Sequence, residues 1–165
     1  MSKLRAGVIG GTGMVGQRFV SLMEKHPWFE LAVIAASPRS AGKTYEEAVG
    51  ARWDFVFSAV DMKKEEILAL EEAYARAECP VVSNNSANRW VPDVPMIIPE
   101  INPEHLAVIP FQQKRLGTKR GFIAVKSNCS IQSYVPALHP LRAEFGLEKI
   151  LACTYQAISG AGKTF

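Results

Sequence analysis

The alternation of apolar and polar positions divides the chain into short strands and longer helical runs that take turns. Residues 4–9 form an apolar run that ends in glycines at 10, 11, 13 and 16. Beyond them Phe19, Val20, Leu22 and Met23 recur at helical spacing until His26 and Pro27 stop the pattern. Residues 31–36 are apolar without interruption, as in a strand buried on both faces of a parallel sheet. Strand, glycine turn, helix and strand in this order predict a βαβ unit.

The pattern then recurs. Residues 54–59 predict a strand, and 63–78 a helix with Ile67, Leu70, Ala73, Tyr74 and Ala77 on its apolar face. Residues 80–84 predict the next strand. It opens into the polar loop 85–89, where a ligand lies off the carboxyl ends of a parallel sheet. A short strand follows at 95–98, and Asn102 ahead of Pro103 reads as the cap of a helical turn. Residues 122–125 predict a strand, 131–145 a helix, and 150–155 a last strand running into the glycine-rich stretch 156–163. Between Ala41 and Trp53 the pattern is weak. A nucleotide-binding half normally has a further strand and helix there, so either the fold is abbreviated or a segment is missing between Trp53 and Asp54, and the spacing favours the missing segment.

Gly11-x-Gly13-x-x-Gly16 stands between a predicted strand and a predicted helix, the context that lifts this motif above background. One glycine permits the tight turn, one lets the backbone approach a pyrophosphate, and one allows close helix–strand packing. A glycine turn without a ligand is the alternative for the motif alone. At the end of the second strand stand Ser37, Pro38, Arg39 and Ser40, with no acid before Glu46. An acid there would bind a ribose 2′-hydroxyl, whereas a guanidinium grips a 2′-phosphate, so the expected cofactor is NADP rather than NAD. An exposed loop arginine is the other reading of Arg39.

Cys129 lies between the strand at 122–125 and the helix at 131–145. The unpaired N–H groups and positive dipole end of a helix favour thiolate over thiol and offer donors to an oxyanion. By position alone a small buried cysteine fits equally well. A dinucleotide site together with such a cysteine suggests acyl transfer to sulfur coupled to hydride transfer. That chemistry needs a general acid/base, and none of the three histidines suits it. His139 is ten residues beyond Cys129, about 15 Å along a helix; His26 ends the first helix, and His105 sits in a separate loop.

Composition narrows the class. The 165 residues carry a formal charge of +3, with 48% hydrophobic and 21% charged residues, an ordinary globular balance. Lys114-Arg115 and Lys119-Arg120 are the densest basic cluster, broken by three residues; it reads as a solvated loop, not a nucleic-acid footprint, though an anionic ligand could lie near it. Three scattered cysteines argue for a reducing compartment. With no signal peptide and no apolar run of spanning length, the expected setting is cytoplasmic, with no membrane, no nucleic acid and no metal.

The stretches 8–17 (VIGGTGMVGQ), 37–43 (SPRSAGK), 94–102 (VPMIIPEIN), 127–130 (SNCS) and 154–162 (TYQAISGAG) resemble, in the same order, the aspartate-semialdehyde dehydrogenase family, most of all its archaeal and fungal branch. The resemblance implies NADP-dependent conversion of 4-aspartyl phosphate to aspartate semialdehyde through a cysteine acyl-enzyme, on the route to lysine, threonine and methionine. It implies a Rossmann-type doubly wound parallel sheet over residues 1–127, then the first strand and helix of an α+β catalytic and dimerisation domain over 128–165. By resemblance Cys129 is the nucleophile, while Arg89, Asn128 and Gln156 bind substrate. Gly11, Thr12, Gly13, Met14, Val15, Ser37, Arg39, Ser40 and Ser58 hold NADP, with Ser159, Gly160 and Ala161 at the nicotinamide end. The family usually has proline where this chain has Ser127, which loosens the entry to Cys129. Its catalytic histidine and second substrate arginine have no counterpart here. The chain by itself is therefore expected to be an inactive fragment of a homo-oligomeric enzyme. Malonyl-CoA reductase and N-acetyl-glutamyl-phosphate reductase share the layout and stand as alternatives, as does a non-catalytic nucleotide-binding module. Asn128-Cys129-Ser130 departs from the Gly-Cys-Tyr signature of the acetylglutamyl enzyme.

Overall fold

The computed structural model describes residues 2–36 and 53–157. Six strands form one parallel sheet: β1 (Leu4–Ile9), β2 (Phe29–Ala35), β3 (Phe55–Ser58), β4 (Val81–Ser83), β5 (Met96–Ile97) and β6 (Ile123–Lys126). Their spatial order is β2-β1-β3-β4-β6-β5. Parallel neighbours need crossovers, and helices supply them on both faces. Helix α1 (Met14–Met23) joins β1 to β2 and α2 (Lys64–Arg76) joins β3 to β4. A 3-10 turn (Pro103–Val108) and α3 (Ile109–Leu116) join β5 to β6, and α4 (Cys129–Phe145) follows β6.

The period-2 alternation of the strands sorts the core into two layers. Ala6, Val8, Phe55 and Phe57 pack with Phe19 and Met23 of α1, and Phe19 stacks on Phe57 at 4.7 Å between ring centres. On the other face Val56, Val81, Ile123 and Val125 meet Ile67, Leu70 and Tyr74 of α2. The doubly wound sheet expected from the sequence is therefore present.

Four expectations change. The face of α2 that packs on the sheet comprises Ile67, Leu70, Glu71, Tyr74 and Ala75, while Ala73 and Ala77 are exposed. A stripe at positions i, i+3, i+4 and i+7 points one way, and here a carboxylate occupies one of its places. Residues 109–116, which include Lys114 and Arg115 of the expected loop, are helical. Gly117 at φ +73° ends that helix, its Arg115 is bound at 2.6 and 2.9 Å to Asp93, and Arg120 lies 3.5 Å from Asp54, so both arginines of the basic cluster are ion-paired. Asn102 precedes the 3-10 turn but its side chain caps nothing; it spans Ile98 N–H (2.7 Å) and Met96 O (2.9 Å). Residues 150–155 form no strand. They lie exposed with no neighbouring strand to complete their hydrogen bonds among the described residues.

Glu78 closes α2 in the left-handed region, at φ 62°. Its carboxylate accepts the backbone N–H groups of Lys119 (2.9 Å), Arg120 (2.6 Å) and Gly121 (2.9 Å). These donors, led by Arg120 and followed by Gly121 and Lys119, hold the carboxyl below its ordinary value. A lowered carboxylate contributes stability that is present above the unfolded value and lost as pH falls through the folded one. Glu78→Gln is expected to flatten the loss of thermal stability from about pH 5 to about pH 3; an unchanged acid profile in a pH series of melting curves would contradict it.

Candidate active site

The loop between β1 and α1 is built around glycine. Gly10 takes φ +83°, which an L side chain rarely adopts, and a Cβ on Gly16 would collide with the Gly10 carbonyl. The turn residue is thus Gly10, one place ahead of the counted motif, and Gly16 is where helix and strand touch. Gly11 lies buried against Ile34 of β2. Gly13 is the N-cap of α1, which has no side-chain cap and no acid in its first turn. Thr12, Met14 and Val15 are exposed around that helix start. A helix end of this kind receives an anionic group. Ser58 is fully buried beneath the loop, and its hydroxyl accepts from Asn85 Nδ2 at 3.1 Å, so it faces inward rather than toward the surface. Ser37, Arg39, Ser40, Ser159, Gly160 and Ala161 lie outside the described residues.

Asn128 is the N-cap of α4 and accepts Ser130 N–H at 2.8 Å, so Cys129 is the first helical residue. Its thiol is exposed, which removes the reading of a buried structural cysteine. Cys79 fits that reading instead: it is 3% exposed, and burial pushes its thiol up to about 11. Gln156, twenty-seven residues on, places Nε2 4.0 Å from the Cys129 sulfur. Cys129, Ser133, Tyr134, Leu138, Cys153 and Gln156 help line an open pocket of about 730 Å³. No histidine lines it. His26 accepts the N–H groups of Trp28 and Phe29 at 3.3 Å and stacks on Phe29, and His105 contacts Asn102 at 2.9 Å.

Arg89 reaches the strand that leads into Cys129. Its Nε donates to Lys126 O at 3.1 Å and its Nη2 to Ser127 O at 3.2 Å. The loop that carries it is tied down by a group the sequence pattern concealed. Glu71, fully buried in α2, accepts from Ser83 Oγ (2.6 Å), Asn85 Nδ2 (3.1 Å) and Asn88 Nδ2 (2.7 Å). A charged residue inside an apolar stripe was the available signal, because a buried carboxylate must find donors. Ser127 is the reverse case. Its hydroxyl is buried and has no partner among the described residues. Leaving a buried polar group unpaired costs about 1–3 kcal/mol, so Ser127→Ala is expected to raise stability by about 1 kcal/mol, read from urea unfolding. A loss of stability would show that the hydroxyl has a partner in solution.

Among the described residues no His/Cys/Asp/Glu cluster could hold a metal ion, and no helix is long and apolar enough to cross a membrane. Residues 5–109 match the family described as "Semialdehyde dehydrogenase, NAD binding domain". Aspartate-semialdehyde dehydrogenase of Aspergillus fumigatus is 39% identical over 187 aligned positions, covering 97% of this chain and 50% of that protein. The enzyme of Archaeoglobus fulgidus is 40% identical, covering 94% and 51%. The crystal structure of the Candida albicans enzyme with NADP superposes with a TM-score of 0.71 at 36% identity, covering 88% and 48%. The chain spans about half the length of the curated relatives it matches, and the 187 aligned positions exceed its own 165 residues. On its glycine loop, its doubly wound sheet and these likenesses together, the chain belongs to the semialdehyde dehydrogenase family, whose NAD-binding domain it carries.

Proposed function

We propose that this chain is the nucleotide-binding and nucleophile-bearing part of an aspartate-semialdehyde dehydrogenase that uses NADP and takes 4-aspartyl phosphate as acyl donor. The observation that carries the reading is the meeting of Cys129, first residue of α4, with Gln156 at 4.0 Å. The curated relatives of that name and the NADP-bound relative from Candida albicans support it.

The uncapped, acid-free start of α1 suits a pyrophosphate, with Gly11, Thr12, Gly13, Met14 and Val15 around it and Ser58 beneath. Arg39 with Ser37 and Ser40 would read the 2′-phosphate, and Ser159, Gly160 and Ala161 would close the nicotinamide end. NADP supplies the hydride when bound. The chain's own residues do the rest. The Cys129 sulfur attacks the acyl carbon, the N–H groups of α4 receive the oxyanion, Gln156 and Asn128 orient the substrate, and Arg89 holds its phosphoryl group.

Residues 1–127 form the cofactor domain in this reading, and 128–165 open the catalytic one. The exposed surface of α4 supports that division. The helix has no buried residue and contains Pro136 and Pro140, while Leu141, Phe145, Leu151 and Tyr155 are exposed in and after it. A proline inside a helix costs about 3 kcal/mol, so a helix of this kind needs a partner to pack on. A segment absent after Trp53 is supported by the alignment longer than the chain and by β2 forming a sheet edge among the described residues. With no histidine at Cys129, the isolated chain is expected to acylate but not to turn over. A homo-oligomeric, cytoplasmic enzyme in lysine, threonine and methionine biosynthesis completes the proposal.

Incubating the chain with 4-aspartyl phosphate should add an aspartyl group that peptide mapping places on Cys129, and malonyl-CoA should add none. The opposite pattern would replace this reading by a malonyl-CoA reductase. Enzyme-like turnover would show that an acid/base is present.

A further inference from the structure

Two cations meet where the chain enters the nucleophile. Arg89 Nη2 and Lys126 Nζ both donate to the Ser127 carbonyl, at 3.2 and 3.3 Å, while Arg89 Nε holds the Lys126 carbonyl. Arg89 comes from the loop after β4 and Lys126 ends β6, so the sheet brings them together from 37 residues apart. Neither forms an ion pair with an acidic side chain among the described residues; the arginines that do are Arg76, Arg115 and Arg120. Burial holds the Lys126 ammonium below its ordinary value, the Arg89 charge lowers it further, and Cys129 pulls it back up. Cys129 follows three residues after Lys126, at the start of a 17-residue helix with no acid in its first turn. The buried Ser127 hydroxyl beside them has no partner among the described residues.

Like charges held side by side without a counter-ion destabilise one another, and an arriving dianion reverses the sign of that cost. Arg89 keeps its Nη1 hydrogens and one Nη2 hydrogen after its two backbone bonds, and Lys126 has two donors beyond its single long one. The site is thus built with more positive charge and more donors than the protein itself uses.

We propose that Lys126 is a second anion-binding residue, which with Arg89 takes the phosphoryl group of an acyl phosphate whose carbonyl carbon faces Cys129. The inference rests on the reading of Cys129 as acyl acceptor and Arg89 as phosphoryl ligand, and it names the donor class. In the step, the Sγ–C bond forms and the C–O bond to phosphorus breaks. The Cys129 thiol releases its proton to water, and phosphate leaves with that electron pair and takes one proton back from water, so the proton count is unchanged. The leaving group gains charge as the bond breaks, so both cations hold it more tightly in the transition state than in the ground state. A thioester donor carries no dianion beside its carbonyl carbon; its leaving sulfur gains one charge on one weak acceptor atom and would leave most of the pair's donors unused.

Inorganic phosphate, the leaving group itself, is the probe, titrated into the 165-residue chain by calorimetry at constant ionic strength. Lys126→Met and Lys126→Gln are expected to weaken binding about tenfold, a charge-assisted hydrogen bond's worth, and Lys126→Arg to keep it. Arg89→Met should lose it as well. If the Lys126 variants bind as the parent does while Arg89→Met does not, Lys126 has no such role and the proposed function stands. If every variant binds as the parent, or the parent does not bind, the anion site itself falls, and the Arg89 assignment with it.

Discussion

Cys129→Ser is expected to abolish formation of the aspartyl adduct, slowing acyl transfer by on the order of 10³-fold or more. Asn128 caps the helix through Ser130 N–H, so residue 129 keeps its place at the helix start whichever atom it carries. Serine is nearly isosteric and its hydroxyl is far less ionised near neutral pH, so the variant changes the nucleophile and little else. Intact-mass measurement after a timed incubation with 4-aspartyl phosphate reads the outcome, and Cys153, exposed in the same pocket, serves as the internal comparison. Adduct at the parent's rate in Cys129→Ser, or adduct on Cys153, would move the nucleophile elsewhere.

Glu71→Ala is expected to cost about 3–5 kcal/mol of stability, which lowers the melting temperature of a chain of this size by roughly 10 °C or more. The carboxylate is fully buried, and Ser83, Asn85 and Asn88 all donate to it. Alanine strands those donors in the interior and leaves a void between α2 and the loop after β4. Glu71→Gln keeps the volume but turns one acceptor into a donor facing donors, so it should fall between the two. The loss extends to the site, because the same loop carries Arg89 to the Lys126 and Ser127 carbonyls. Thermal and urea unfolding decide the matter: a change under about 1 kcal/mol in Glu71→Ala would mean that water satisfies those donors as well as the carboxylate does.

Much of the fold was legible because its signals are short-ranged. The glycines at 10–16, the apolar runs at 31–36 and 54–59, and the helical periodicity of α2 act over a turn or a strand at a time. Parallel order follows from strands separated by helices. Helix α3 was missed because its apolar positions are few; Gln112, fully buried, takes a core place by bonding Asp93 O and both the N–H and the carbonyl of Ile123. Residues 150–155 have the composition of a strand, but a strand exists only beside another, and none lies beside them among the described residues.

By itself, then, the sequence determined the doubly wound sheet, the glycine loop at the start of α1, and Cys129 at the start of α4, since each depends on residues within a few positions of one another. Only the tertiary structure decided that Glu71 is an interior acceptor, that Gln156 stands against the Cys129 sulfur, and that Arg89 and Lys126 converge on one carbonyl. Those partners are 12 to 38 residues apart, and no local periodicity encodes a meeting of that range. It is set by which strand ends the sheet places side by side, and by the requirement that a buried charge find its donors.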